Sequence, residues 1–199
     1  MNKALFLDRD GIINKMVYNQ EFGLVDTPAR IQDIELVFGI SDLLKLSSGL
    51  GFLNIIISNQ PTIGLKKISK AQFETVRKAI IDKLKQDGAV IDGEYYCLHH
   101  PFAKNSKYRS DCDCRKPKLG LIQQAKKVHN IDLNKSWFLG DGVNDIIAGH
   151  NAGCRTILLG HGLETGYLQL IKKHLGKIIP DFIIKKLPDA IRILKENSL

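Results

Sequence analysis

The stretch Lys3-Ala4-Leu5-Phe6-Leu7-Asp8-Arg9-Asp10-Gly11 decides how the rest of the chain is understood. Its apolar run is typical of a buried strand and ends in two carboxylates two positions apart, after which Gly11 lets the backbone turn sharply. Asp8 and Asp10 are therefore expected at the carboxyl end of a strand, where open α/β sheets bind ligands. Two close carboxylates repel, so the stretch predicts Mg²⁺ between them, since Mg²⁺ binds carboxylates together with phosphate oxygens. An ordinary Asp-Gly turn is the alternative.

The bulk composition fits a soluble globular protein. The 199 residues are enough to bury a core, and 44% hydrophobic and 25% charged residues are ordinary proportions. No stretch approaches the roughly 20 apolar residues that span a bilayer. The first apolar run is too short for a signal peptide. We therefore expect a single domain over residues 1–199 that is cytoplasmic and monomeric, with no membrane partner.

The charge and the cysteines narrow the possible ligands. A net charge of +8 permits nucleic acid as a partner, and equally a small phosphorylated substrate. The lysines are spread along the chain without a dense basic block, which makes nucleic acid the less favoured partner. The four cysteines of a cytosolic protein are reduced, so metal binding is favoured over disulfides.

Apolar runs and helical periodicities alternate along the chain. Strands are predicted at 4–7, 53–57, 94–98, 137–139, 156–159 and 182–184, and helices at 39–50, 69–86, 117–128, 145–152 and 188–196. Residues 14–34 and 105–115 are predicted to be irregular loops, the first of them over the site. The helix after Lys116 is expected to begin at Pro117 and to bury Leu121, Ile122, Ala125 and Val128. This alternation predicts an α/β fold, with a mostly parallel sheet and helices on both faces.

Polar side chains lie at three of the predicted strand ends. Asp8 and Asp10 end the first strand, Ser58 and Asn59 the second, and Asp141 the fourth. Ser58 and Asn59 offer donors to an anion, and Lys116 offers a compact positive charge. Asp141 can complete a Mg²⁺ site with Asp8. Asp145 fits two roles equally well, as a helix cap or as a group near the metal.

Four short motifs carry a resemblance to a known family. They are Asp8-Arg9-Asp10-Gly11, Ser58-Asn59-Gln60, Arg115-Lys116-Pro117 and Gly140-Asp141 followed by Asp145. With them the chain resembles phosphatases of the haloacid dehalogenase superfamily over nearly its whole length. The resemblance implies a Rossmann-like sheet, and the short spacing between the motifs leaves no room for more than a minimal cap.

The resemblance also implies a role for each motif residue. Asp8 attacks phosphorus and forms an aspartyl-phosphate, while Asp10 protonates the leaving oxygen and then activates water. Ser58 and Lys116 hold the phosphoryl oxygens. Mg²⁺ is bound by the side chains of Asp8 and Asp141 and by the backbone carbonyl of Asp10. Beyond these residues, Asn59, Gln60 and Arg115 are expected to contact the substrate.

A second metal site is predicted in the loop at 97–116. Cys97-Leu98-His99 and Cys112-Asp113-Cys114 offer three thiolates and one imidazole, the ligands of a structural Cys₃His zinc site. The spacing alone does not decide between His99 and His100 as the fourth ligand. Unpaired cysteines are the alternative, and Cys154 is expected in the core.

The zinc loop resembles that of the heptose 1,7-bisphosphate phosphatases and their histidinol-phosphate phosphatase relatives. This resemblance favours His99 as ligand, and implies a zinc-stapled loop that fixes Arg115 for a second phosphate or a sugar. Two segments depart from the pattern. Residues 61–66 read Pro-Thr-Ile-Gly-Leu-Lys where the family usually has Ser-Gly-Ile-(Ala/Gly)-Arg-Gly, and residues 16–19 lack the usual Gly-Tyr-(Val/Leu). Both departures weaken the assignment of a substrate.

The sequence thus favours a Mg²⁺-dependent phosphatase with a structural zinc, removing the 7-phosphate of D-glycero-D-manno-heptose 1,7-bisphosphate. The first alternative is a phosphatase for histidinol phosphate or another small phosphomonoester. A phosphatase for nucleic-acid ends or a zinc-containing nucleic-acid-binding protein is less favoured, because the loop offers only Phe102 and Tyr108 as aromatic residues for stacking.

Overall fold

The computed structural model describes residues 1–19, 23–160 and 173–197. The strands are β1 (Lys3–Leu7), β2 (Val17–Asn19), β3 (Leu24–Asp26), β4 (Phe52–Asn59), β5 (Gly93–Cys97), β6 (Trp137–Gly140), β7 (Arg155–Leu159) and β8 (Phe182–Ile184). The α-helices are α1 (Ile40–Gly49), α2 (Lys70–Gln86), α3 (Gly120–His129), α4 (Val143–Ala152) and α5 (Leu187–Asn197).

Six of the described strands form one parallel sheet in the order β5-β4-β1-β6-β7-β8. β1 lies between β4 and β6, with Leu7 paired to Ile56 on one side and Leu139 on the other. Because the strands are parallel, the chain leaves β1, β4 and β6 at the same edge of the sheet. The predicted α/β fold is confirmed.

Helices cover both faces of the sheet. Successive side chains of a strand point to opposite faces, and those of β1 are apolar on both. Leu5 and Leu7 point to the face covered by α1, α2 and α5. Ala4 and Phe6 point to the face covered by α3, with Ala148 of α4 in the same cluster. β1 is therefore buried on both sides, which explains its unbroken apolar run.

The segment at 14–34, predicted to be an irregular loop, contains an antiparallel hairpin of β2 and β3 and a 3₁₀ turn at Ile31–Asp33. The prediction was wrong on the hairpin because strands of three residues, with Tyr18, Leu24 and Val25 exposed, carry no clear alternation. Thr27, next to the hairpin, reaches Asp10 through its hydroxyl. The segment therefore does lie against the predicted site.

Two predictions about α3 were wrong. The helix begins at Gly120, because the chain first makes a turn in which Lys118 N donates to Arg115 O and Gly120 N donates to Asp113 O. Val128 is 65% exposed, so it does not belong to the buried face that Leu121, Ile122 and Ala125 form. Elsewhere the elements follow the prediction, and Cys154 is buried. None of the described helices is long and apolar enough to cross a membrane.

Candidate active site

Asp8 and Lys116 form an ion pair at the carboxyl end of β1. The Lys116 Nζ atom lies 2.9 Å from Asp8 Oδ1 and 2.6 Å from Asp145 Oδ1. It also donates to the carbonyl oxygen of Ile57, at 2.7 Å. The buried ammonium therefore has three acceptors for its three protons. Burial alone would lower the pKa of Lys116, but Asp145 and Asp8 raise it above its ordinary value, so the group is charged.

Asn59 fixes the main chain of Lys116. Its Oδ1 accepts from Lys116 N at 2.9 Å, and its Nδ2 donates to Lys116 O at 3.0 Å. Asn59 ends β4, whereas Lys116 follows the cysteine loop, so these two bonds join separate parts of the chain. Both ends of the Asn59 amide hold Lys116, and the predicted contact between Asn59 and a substrate stays a prediction.

Asp145 caps a helix, one of the two roles left open by the sequence, and it also contacts a catalytic lysine, while its role near the metal stays a prediction. Its Oδ2 accepts from Gly142 N at 3.0 Å, which caps α4, while its Oδ1 meets Lys116. The pKa of Asp145 is raised to about 7, chiefly by burial. The positive charge of Lys116 lowers this pKa, whereas the negative charges of Asp8 and Asp141 raise it further. Asp145 thus belongs to the same charged cluster as the predicted nucleophile.

The carboxylates suit a divalent cation. Oxygen atoms of Asp8, Asp141 and Asp145 all lie within 4.8 Å of one another. Gly11 makes room for this arrangement, because a Cβ atom there would lie 1.9 Å from Asp141 Oδ2. Gly11 also has φ +85°, a conformation that favours glycine. Carboxylate oxygens are the ligands that Mg²⁺ prefers, so Asp8 and Asp141 fit the predicted ion.

The Asp10 side chain faces a different set of partners. Arg9 donates to both carboxylate oxygens at 3.0 Å, Gln60 Nε2 donates to Oδ2 at 2.6 Å, and Asn14 Nδ2 donates to Oδ1 at 2.9 Å. Thr27 Oγ1 adds a bond of 3.0 Å to Oδ1. Burial alone would raise the pKa of Asp10, but the Arg9 charge and the hydrogen bonds from Gln60, Asn14 and Arg9 lower it below its ordinary value. The surroundings therefore stabilise the ionised carboxylate.

Gln60 and Ser58 lie behind Asp10. Gln60 is buried, accepts from Arg9 at 2.8 Å, and donates to Ser58 Oγ at 3.1 Å. Since Ser58 Oγ is the acceptor in that bond, its own proton is directed elsewhere and can serve a phosphoryl oxygen. Gln60 orients Asp10 and Ser58, and its predicted contact with a substrate stays a prediction.

Arg9, Asn14 and Thr27 are site residues that the sequence reasoning missed. Arg9 is 1% exposed, and a charged side chain at such a depth requires partners. The position of Arg9 between two aspartates in the sequence was the one local feature that could have predicted its role in the site. Asn14 and Thr27 carried no signal, because both lie in the segment at 14–34, which was predicted to be irregular.

The cysteines of the loop at 97–116 converge with one histidine. Cys114 Sγ lies 3.2 Å from Cys97 Sγ, 3.0 Å from Cys112 Sγ and 3.4 Å from His99 Nδ1. Two thiolates on one zinc ion lie no further apart than about 4.6 Å, twice the Zn–S bond length. The ligand atoms of Cys97, His99, Cys112 and Cys114 all lie within 4.8 Å of one another, close enough to bind one metal ion.

The structure separates the two adjacent histidines. His99 points its Nδ1 into the cysteine cluster, whereas His100 Nδ1 accepts from Phe102 N at 3.1 Å within the loop. Arg115 donates to His99 O at 3.2 Å, so it is tied to the cluster it follows in sequence. Its predicted contact with a second phosphate or a sugar stays a prediction.

Comparison with known proteins identifies the family. A HAD-hydrolase-like family model matches residues 113–190. The chain is 34% identical to the D-glycero-beta-D-manno-heptose-1,7-bisphosphate 7-phosphatase of Haemophilus influenzae over 195 residues, 98% of each chain. It is 40% identical to that of Helicobacter pylori over 159 residues, 79% of this chain and 83% of the relative. The chain belongs to this family of HAD phosphatases. The prediction of a phosphomonoester hydrolase is thereby confirmed.

A solved structure shows the same fold. The D,D-heptose 1,7-bisphosphate phosphatase from B. bronchiseptica, complexed with magnesium and phosphate, superposes with a TM-score of 0.77 at 21% identity. The match covers 98% of both chains. The HAD-type fold of this family member is confirmed.

Proposed function

We propose that this HAD phosphatase removes the 7-phosphate of D-glycero-β-D-manno-heptose 1,7-bisphosphate through an aspartyl-phosphate on Asp8. The observation that carries the mechanism is the Lys116 ammonium 2.9 Å from the Asp8 carboxylate, beside the carboxylates of Asp141 and Asp145. A carboxylate that attacks phosphorus is repelled by the negative phosphoryl oxygens, so a neighbouring cation is needed to neutralise their charge. The names and the extent of the relatives' similarity support the sugar bisphosphate as substrate.

Asp8 and Asp141, with the main chain of Asp10, would hold Mg²⁺. A bound Mg²⁺ would reduce the repulsion between the attacking carboxylate and the phosphoryl oxygens. Asp8 then attacks phosphorus with one carboxylate oxygen, and the sugar oxygen leaves. Ser58 donates to a phosphoryl oxygen, and Lys116 neutralises the charge on the phosphoryl group. Asn59 keeps Lys116 in place through its two main-chain bonds.

Asp10 moves the protons in both steps of this mechanism. In the second step it takes a proton from the water that attacks the phosphoenzyme, and its lowered pKa gives the ionised form that this step needs. In the first step it must hold a proton for the leaving oxygen. A phosphate dianion bound beside Asp10 opposes ionisation of its carboxyl group and so raises its pKa.

The cysteine cluster would hold a structural Zn²⁺. Four protein ligands leave no open position for a reacting group, so the ion shapes the loop and takes no part in the chemistry. Lys116 follows Cys114 by two residues, so the ligand cluster supports the main chain that carries Lys116. A monomeric state, a cytoplasmic location and the lack of a nucleic-acid partner remain predictions.

The substrate assignment is tested by comparing kcat/KM among sugar phosphates. We expect the highest value for the β anomer of heptose 1,7-bisphosphate, and lower values for its α anomer, fructose 1,6-bisphosphate and histidinol phosphate. Asp8→Asn is the control for contaminating phosphatase. A preference for histidinol phosphate would overturn the substrate and leave the chemistry in place.

A further inference from the structure

The side chain of Arg9 holds the Asp10 carboxylate with a planar fork of N–H donors. Arg9 Nε donates to Asp10 Oδ1 at 3.1 Å, and Nη2 donates to Oδ1 and to Oδ2, each at 3.0 Å. The same Nη2 atom donates to Gln60 Oε1 at 2.8 Å and to the Thr27 hydroxyl. Arg9 is 1% exposed, whereas 14% of the Asp10 side chain is exposed. The guanidinium therefore lies behind the carboxylate, and any effect on the reaction passes through Asp10.

The rest of the guanidinium faces two aromatic rings instead of hydrogen-bond acceptors. Arg9 Nη1 is buried and has no hydrogen-bond partner among the residues that the structure describes. Arg9 Cζ lies 5.9 Å from the ring centroid of Phe73 and 6.0 Å from that of Tyr96. We call these two rings the aromatic wall. The face of an aromatic ring attracts a cation, so the wall stabilises the charge of Arg9 without offering an acceptor that would compete with Asp10.

Contacts away from the active site hold the aromatic wall in place. Phe73 of α2 and Tyr96 of β5 meet edge to face, with their centroids 5.5 Å apart. The Tyr96 hydroxyl donates to Glu94 Oε2 at 2.8 Å, and Arg77 of α2 donates to Glu94 Oε1 at 2.7 Å. Glu94 thereby ties the Tyr96 ring to the helix that carries Phe73. The wall is thus fixed by two separate elements, α2 and β5.

The orientation of the Asp10 carboxylate depends on the fork of Arg9. The last torsion of an aspartate side chain is broad, so the carboxylate rotates unless its partners fix it. Proton transfer requires a carboxyl oxygen within hydrogen-bond reach of the leaving oxygen or of water. A misplacement of about 1 Å in such a group can cost about 10²-fold in rate. A lysine at position 9 would keep the charge, but a single ammonium on a flexible stem lacks the rigid fork that holds both oxygens.

We propose that Arg9 is a positioning residue for proton transfer by Asp10, and that the aromatic wall of Phe73 and Tyr96 fixes Arg9 in this role. The inference rests on the proposed function, in which Asp10 protonates the leaving oxygen and then activates water. It extends the catalytic arrangement to two rings of α2 and β5, neither of which is a catalytic or metal-binding residue.

The first test is Arg9→Lys, which keeps the positive charge and removes the fork. The phosphorylation step is measured by pre-steady-state kinetics with heptose 1,7-bisphosphate and with p-nitrophenyl phosphate. We expect its rate to fall about 10 to 10²-fold on the sugar phosphate, the loss typical of a misplaced catalytic group. On p-nitrophenyl phosphate it should fall less than about threefold, because p-nitrophenolate leaves with little need of a proton. Equal slowing with both substrates, or no slowing with the sugar phosphate, would overturn the role of Arg9.

The second test is Phe73→Leu, with Phe52→Leu as the matched control. Phe52 is also 3% exposed and also lies under a cation, with Lys3 Nζ 4.3 Å from its ring centroid. It stands at the start of β4, whereas the site lies where the strands end. We expect Phe73→Leu to slow phosphorylation by the sugar phosphate about threefold or more, through displacement of the Arg9 fork. Phe52→Leu should stay within about twofold, because distant sites act independently.

A double variant shows whether Phe73 acts through Arg9. Because residues that share one interaction are not additive, Phe73→Leu should cause little further slowing in the Arg9→Lys protein. Losses that multiply independently, or a loss in Phe73→Leu no larger than in Phe52→Leu, would rule out the role of the aromatic wall. Thermal unfolding shows which variants are folded at the assay temperature. If Arg9→Lys is not folded, the comparison of the two phenylalanine variants decides alone.

Asp10→Asn, measured in the same way, separates this inference from the proposed function. If Asp10→Asn slows the sugar phosphate far more than p-nitrophenyl phosphate and Arg9→Lys does not, the inference fails and the proposed function stands. If Asp10→Asn slows both substrates equally, the proposed proton transfer fails, and the role of Arg9 fails with it.

Discussion

At the scale of single residues, the site is a set of buried charges, each with its partner. Arg9 is paired with Asp10, and Lys116 with Asp8 and Asp145. Moving charged groups out of water costs free energy, so buried ion pairs contribute little to the stability of the fold. Their presence here therefore indicates a functional role. The sequence predicted Asp8 and Asp10 because the D-x-D-G spacing is local. It could not predict that Arg9 binds Gln60, because that contact joins two segments far apart in the chain.

Gly11→Ala tests the metal site. The added Cβ atom would lie 1.9 Å from Asp141 Oδ2, so it must displace that carboxylate. We expect the Mg²⁺ concentration for half-maximal activity to rise about tenfold or more, the range typical when support for a metal ligand is lost. Gly88→Ala is the matched control, because Gly88 also has a positive φ, +77°, and only Lys45 Cδ lies near its added Cβ, at 4.0 Å. An unchanged Mg²⁺ requirement in Gly11→Ala would show that Asp141 is not a ligand.

Asp10→Asn tests proton transfer. A sugar alkoxide needs a proton as it leaves, whereas p-nitrophenolate hardly does. The variant should therefore lose about 10² to 10⁴-fold in the phosphorylation step on the sugar phosphate, and much less on p-nitrophenyl phosphate. Pre-steady-state kinetics must be used, because the second step also depends on Asp10. Equal slowing of the first step with both leaving groups would leave Asp10 a role in positioning only.

At the scale of elements, local signals decided which predictions succeeded. α2 was predicted almost to the residue, because Ser69 and Gln72 form a capping box before a regular apolar period. The hairpin of β2 and β3 was missed, because its strands are short and exposed. The loop at 97–116 has no strong local signal apart from its cysteines. Its conformation depends instead on the ligand cluster and on the bond from Asn105 to Gly64.

Cys112→Ser tests the second metal site. Purified wild type should contain about one zinc ion per chain, from its set of four ligands, and the variant should lose it. Cys154→Ala is the control, because Cys154 is buried and is not one of the four candidate ligands, so its removal should leave the zinc content unchanged. Since Lys116 stands at the end of this loop and pairs with Asp8, KM should rise in Cys112→Ser. Elemental analysis that finds no zinc in wild type purified without chelators would contradict the site.

At the scale of the whole molecule, the sheet order assembles the site. With β1 between β4 and β6, the ends of three strands deliver Ser58, Asp8 and Asp141 to one edge of the sheet. The sequence predicted this edge from the alternation of strands and helices and from the polar residues at the strand ends. It could not predict the closeness of Lys116 to Asp145, because that contact depends on how the cysteine loop and α4 pack across the edge.

Attack of Asp8 on phosphorus is the central claim, and the most direct test is to trap the phosphoenzyme. Wild-type protein is mixed with heptose 1,7-bisphosphate, quenched in acid during turnover and digested, and its peptides are analysed by mass spectrometry. We predict a phosphate on Asp8 that hydroxylamine removes, as it does from an acyl phosphate. We also predict that Asp8→Asn carries no such phosphate and retains less than about 1% of the activity. The account would be contradicted by turnover with no phosphate on Asp8, together with an Asp8→Asn activity above about 1% of the wild-type value.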